Sequence, residues 1–161
     1  MMKELPAAVL AEIGFIATEW SLVDHQLRQS LVALWATEGL TGKTPANFRQ
    51  MRTAWRLAAL GALPESDHEL LEGIYARMIK RAVARNYALH GVWHVVGPDR
   101  YEVDVPVEDN GAVYRRVLST NFADLKSQAD LLRDYRIDLA DIFRRLHGSS
   151  FRAGLSSTPK S

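Results

Sequence analysis

The chain has 161 residues, about one domain's worth, and its 47% hydrophobic and 24% charged residues exclude a disordered, collagen-like or low-complexity polymer. It contains no Cys, which excludes a disulfide framework, a thiol nucleophile and a thiolate zinc site. The net charge of +1 is too small to imply nucleic acid or membrane by itself, but it is unevenly spread. Residues 1–42 carry two basic and five acidic side chains, 43–85 carry eight and four, and 86–161 carry ten and ten, so the positive field sits mid-sequence. Glu4, Glu12 and Glu19 interrupt the apolar run near the N-terminus, which therefore reads neither as a membrane span nor as a signal peptide. The expectation is a cytoplasmic protein with no membrane partner.

Pro6 suits a first helical turn, and Val9, Ile13, Ile16, Trp20, Val23, Leu27, Leu31 and Leu34 then recur at spacings of three and four. This predicts one long amphipathic helix over about 6–38. After a break at Gly39 to Lys43, Thr44 reads as an N-cap with Pro45 at the first position of a second helix ending before Gly61. Pro64 and the capping box Ser66-x-x-Glu69 open a third helix, carried by its pattern to about Val92. The period then changes to two. Trp93 and Val95, Tyr101 to Val105, and Val113 to Val117 alternate between the turn signals Gly97-Pro98-Asp99 and Asp109-Asn110-Gly111, which predicts a hairpin or three-stranded ribbon. Asn121 with Asp124 starts a last helix to about His147, and a Ser/Gly/Pro-rich tail, 148–161, is expected to be flexible. The predicted fold is mainly α: a four-helix up-and-down bundle over 1–147 with a small β insertion, about 93–118, before the last helix.

On the third helix, Leu71, Tyr75, Met78, Ile79, Ala82, Val83 and Leu89 mark an apolar side, and Asn86 falls near its middle with His90 one turn on. Both polar groups are expected to face inward, while Arg85 sits at the boundary with a stem long enough to reach either side. One reading makes Asn86 and His90 satisfied core residues that hold helix register, with Arg85 a solvated charge. The combination Arg85-Asn86-x-x-x-His90 within one long helix favours chemistry instead.

The segment Arg85-Asn86-Tyr87-Ala88-Leu89-His90-Gly91 resembles the signature of the HEPN superfamily, whose Arg, adjacent polar residue and His lie late in a long helix of a compact bundle. The resemblance covers about 5–147 in architecture and 85–91 in motif. It implies a metal-independent endoribonuclease with His90 as acid/base, Arg85 as phosphate and transition-state contact and Asn86 as the residue that orients them. It also implies no cofactor, a homodimer that lines one cleft with two motifs, RNA as substrate, and a setting in toxin–antitoxin pairs or antiphage defence with a possible antitoxin partner. The alternative is a non-catalytic HEPN-like module that binds a protein or nucleic acid. The residue types suit the chemistry: His titrates near neutrality and can take the ribose 2′-OH proton, and the planar guanidinium of Arg suits the charge developing on phosphoryl oxygens. The β insertion departs from the superfamily pattern.

Arg77, Arg81 and Arg85, joined by Lys80, form a basic stripe that reads either as an ordinary solvated helix face, since Glu69 and Glu72 begin the same helix, or as a track for phosphates with Arg77 and Arg81 as substrate contacts. Asp24 on the first helix is read either as an acidic partner for Arg85 or His90 or as an ordinary surface carboxylate. His90 and His94 have the spacing of a helical metal pair, but no Glu follows His90 and Gly91 ends the helix between them, so no metal site is assigned. His25, His68 and His147 read as isolated. No glycine-rich phosphate loop and no Gly-x-Ser-x-Gly elbow is present.

Overall fold

The structure, a computed structural model, describes residues 4–148. Helix α1, Ala7–Thr37, runs 31 residues and buries Val9, Ile16, Trp20, Val23, Leu27, Leu31 and Leu34, the stripe set by the three-and-four spacing. It closes at Gly39, whose φ of 71° lets the Gly39 and Leu40 amides turn back onto the Ala36 and Trp35 carbonyls. Helix α2, Phe48–Ala62, starts three residues later than expected. Asn47, not Thr44, is its cap, with Oδ1 accepting from the Arg49 and Gln50 amides at 2.8 and 3.3 Å. Thr44, Pro45 and Ala46 instead stay outside the helix, where Arg28 donates to the Thr44 hydroxyl and to the Pro45 and Ala46 carbonyls.

A single 3₁₀ turn, Glu65–Asp67, leads into α3, His68–His90, where a capping box was expected to open the helix directly. The helix ends two residues early. A Cβ on Gly91 would stand 2.3 Å from Val103 Cγ1 and 2.4 Å from the Tyr87 carbonyl oxygen, so only glycine lets the chain turn from helix into strand there. Strands β1 (Val92–Gly97), β2 (Arg100–Asp109) and β3 (Ala112–Thr120) form an antiparallel sheet in that order. At the β2–β3 turn Asn110 and Gly111 take φ of 50° and 80°, the pair of positive values that an Asn-Gly hairpin turn requires. Helix α4, Phe122–His147, begins where Asn121 Oδ1 accepts from the Asp124 amide at 2.8 Å while its Nδ2 donates to the Asp124 carboxylate. It closes on Gly148 at φ 80°. The chain is therefore mainly helical with a three-stranded sheet before the last helix; the expected flexible tail beyond Gly148 lies outside the described residues.

The described chain divides into two compact units, 4–20 with 78–134, and 21–77 with 135–148. In the first, Tyr101, Val103 and Val105 on one face of β2 are buried, and Val103 and Val105 form an apolar cluster with Tyr87 and Trp93. Trp93 Nε1 donates to the Tyr87 carbonyl at 3.3 Å, and the Arg133 guanidinium lies 4.0 Å from the centre of the Phe15 ring. In the second, Trp55 and Phe143 meet edge to face at 6.0 Å within a core that includes Leu27, Leu31, Met51, Leu71, Ile74 and Leu139. Full burial of each such side chain contributes about 1.5–3 kcal/mol, which is why the apolar periodicity decides the helices.

Candidate functional site

The last three turns of α3 carry the motif. Met78 and Ala82 are buried, but Ile79, Val83 and Leu89 are 43, 50 and 39% exposed, and Asn86 and His90 are exposed with them. The expected inward orientation of Asn86 and His90 is thus corrected: neither is a core residue. The apolar side inferred from spacing is too broad, because the helix buries one sector through Leu71, Ile74, Met78 and Ala82 and another through Tyr87, which packs on the sheet cluster. Between these sectors runs an exposed stripe, Ile79, Val83, Asn86 and His90, at spacings of four, three and four. Arg85 is half-buried, and its Nη1 donates to Asn86 Oδ1 at 3.1 Å, so the amide holds the guanidinium beside the stripe. His90 is the final residue of α3.

The other expected contacts have partners of their own. Asp24 accepts from Arg28 Nε at 2.8 Å and from Arg28 Nη2 at 3.2 Å, so its carboxylate orients the cation that holds residues 44–46. Arg77 pairs with Asp138. Arg81 is half-buried, and its Nε is buried without a hydrogen-bond partner among the described residues. Of the basic stripe, Lys80 is exposed and makes no ion pair among the described residues.

Beside Tyr87 lies a cavity of about 520 Å³, walled by Ile16 of α1, Lys80, Val83, Ala84, Tyr87 and Ala88 of α3, Trp93 of β1, the end of β3 at Leu118–Thr120, and Asp124, Leu125 and Gln128 of α4. The sheet register explains the floor: Trp93 pairs with Val103 and Val103 with Leu118, which puts Trp93 and Leu118 on the face that carries Tyr101 and Val105. Residue spacing within the five elements did not reveal this cavity in the sequence, because strand register is what brings Trp93 and Leu118 opposite α3.

Two further clusters were not foreseen. On the other face of the sheet Asp104 accepts from Arg115 at 2.9 Å and stands 3.5 Å from His94 Nε2. In the second unit Ser30 Oγ lies 2.6 Å from His147 Nε2 and accepts from Trp55 Nε1 at 2.9 Å. Burial pushes the His147 imidazole below its usual value. A Ser–His pair at this distance has the geometry of an activated nucleophile, but Ser30 is 0% exposed and no substrate can reach it. His147 is therefore not isolated, and its role is structural. His90 and His94 do not share a helix, since α3 ends at His90 and His94 belongs to β1, and among the described residues no group of three or more His, Asp or Glu side chains is arranged to hold a metal ion. No helix among the described residues is long and apolar enough to cross a membrane.

Compared with family models, with characterised proteins and with solved structures, the chain finds no match.

Proposed function

We propose that the protein is a metal-independent endoribonuclease of the HEPN type, a cytoplasmic homodimer of up-and-down four-helix bundles in which two copies of Arg85, Asn86 and His90 face one cleft. The observation that carries the reading is the exposed α3 stripe, where Asn86 and His90 stand in water in line with Ile79 and Val83. Large apolar side chains exposed around a polar cluster are what a second copy of the same helix would cover, and covering them would dry the site and strengthen its electrostatics. The amide of Asn86 supports the reading by holding the Arg85 guanidinium.

In the reaction His90 removes the proton of a ribose 2′-OH. The 2′ oxygen forms a bond to the adjacent phosphorus as the bond from phosphorus to the 5′ oxygen breaks, and the partner's His90 returns a proton to that leaving oxygen. Arg85 neutralises the charge that develops on the non-bridging oxygens. Lys80 and Arg81 draw the phosphate chain toward the motif. The biological setting in this reading is a toxin–antitoxin pair or antiphage defence, with an antitoxin protein as partner.

The test is purified protein on mixed single-stranded and structured RNAs in excess EDTA. The expected products end in 2′,3′-cyclic phosphate. His90→Ala is expected to lower the rate by about 10²–10⁴. Arg85→Lys, which keeps the charge but loses the planar fork, is expected to lower it steeply as well. Cleavage that persists in His90→Ala, or that EDTA abolishes, overturns the mechanism; cleavage of no RNA leaves the binding-module reading in its place.

A further inference from the structure

The cavity beside Tyr87 shares Lys80 and Val83 with the site above but has no role of its own there, and it has the features of a ligand site. Its volume of about 520 Å³ falls within the range of small-molecule pockets, roughly 300–1,000 Å³. Two of its walls are aromatic, and the indole of Trp93 already spends its N–H on the Tyr87 carbonyl, so what the ring offers a ligand is apolar surface. Its rim is polar. Lys80 and Gln128 make no side-chain hydrogen bond among the described residues, and the Asp124 carboxylate, tied to Asn121, faces the same space. Leu118–Thr120 ends β3, an edge strand of the sheet, so among the described residues no neighbouring strand takes the backbone groups on its side away from β2.

Flat aromatic walls, free donors and acceptors at the rim and one unpaired cation match a planar heterocycle with a hydrogen-bonding edge and an attached phosphate. A hydrocarbon chain fits less well, because it would leave Gln128, Asp124 and the β3 backbone facing apolar surface. The cavity also adjoins the motif. Tyr87 and His90 are three residues apart on α3, and residues at that spacing are neighbours on a helix surface.

We infer that this cavity is a base-binding subsite, which takes one unstacked nucleobase of the RNA between Trp93 and α3 and sets the ribose and phosphate that follow beside His90. The inference rests on the ribonuclease reading. Single-stranded RNA is recognised by such splaying, with aromatic side chains under the base and polar groups on its edge. In this arrangement Lys80 meets the phosphate of the seated nucleotide, and Gln128 with the β3 edge reads the base.

Binding can be separated from cleavage with 2′-O-methyl dinucleotides, which carry no 2′-OH to attack. The full-length protein titrated with each of them is expected to show a saturable change in tryptophan emission that disappears in Trp93→Phe. Ala84→Leu and Ala88→Leu, which extend side chains from α3 into the cavity, are each expected to weaken binding about tenfold or more, the scale of one lost stacking contact. Lys80→Gln, an exposed change that leaves the cavity open, is expected to weaken the phosphorylated probe and not the free nucleoside. In cleavage assays the filling variants are expected to raise KM more than they lower kcat. Absence of saturable binding, binding unchanged in both filling variants at unaltered melting temperature, or displacement of the probe by sodium laurate would overturn the subsite. Probe binding through Trp93 without cleavage of any RNA keeps the subsite and removes the ribonuclease reading; cleavage with unchanged KM in both filling variants does the reverse.

Discussion

Ser30 and His147 are separated by 117 positions, yet the serine hydroxyl lies 2.6 Å from the imidazole Nε2. Trp55 Nε1 donates to the same hydroxyl, whose proton and second lone pair are left to meet the His147 ring nitrogen. Protonating His147 would place a charge in a partly buried site. Burial accordingly depresses its pKa below the usual 6.5. The unfolded chain takes up the proton first as pH falls, so stability is full above about 6.5 and declines from there down through the lower folded-state value. Melting temperature measured from pH 8 to 5 for the natural chain and for His147→Gln is expected to give a constant difference above 6.5 that shifts in favour of the variant below it. A difference that stays constant throughout the range contradicts the assignment.

Ser30→Ala removes the acceptor of Trp55 and the partner of His147 together, in a position with no access to water. A loss of about 1–3 kcal/mol in urea unfolding is expected, the cost of an unsatisfied buried polar group.

Gly91→Ala is expected to destabilise by about 1–3 kcal/mol, because the new methyl meets the Tyr87 carbonyl and Val103 at the junction of α3 and β1, and a backbone oxygen cannot yield as a side chain can. Equilibrium unfolding measures it directly. Unchanged stability would mean that the junction relaxes.

Asn47→Ala deletes the side chain that accepts from the Arg49 and Gln50 amides and is expected to cost about 0.5–2 kcal/mol, whereas Thr44→Ala, whose hydroxyl serves Arg28 and not the helix, is expected to leave α2 intact. Hydrogen exchange of the first α2 amides distinguishes the two sites.

Ile79→Asp changes a stripe residue that is 43% exposed in the single chain, so it is expected to leave the melting behaviour of a monomer nearly unchanged. If the α3 stripe joins two copies, it is also expected to shift the protein from dimer to monomer by light scattering at tens of micromolar and to abolish RNA cleavage. A dimer that survives the substitution places the contact elsewhere.

Much of the local structure was legible in the residues. The three-and-four spacing from Val9 to Leu34 specifies α1, the switch to alternation at Trp93 specifies the strands, and Asn110-Gly111 and Asn121-x-x-Asp124 mark a turn and a cap that the structure has, since each acts through neighbours in the chain. The start of α2 was not legible, because Thr44-Pro45 and Asn47 are both plausible caps and the choice falls to Arg28, sixteen residues upstream, which takes the Thr44 hydroxyl. For the site, the sequence placed Arg85, Asn86 and His90 on one helix but misjudged their surroundings. Helical spacing says which residues share a face and nothing about which face is covered; the sheet takes Tyr87, the core takes Met78 and Ala82, and the sector with Asn86 and His90 is left in water. The cavity beside Tyr87 and the Ser30–His147 contact belong wholly to tertiary structure, because strand register in one case and 117 positions of intervening chain in the other decide which atoms meet.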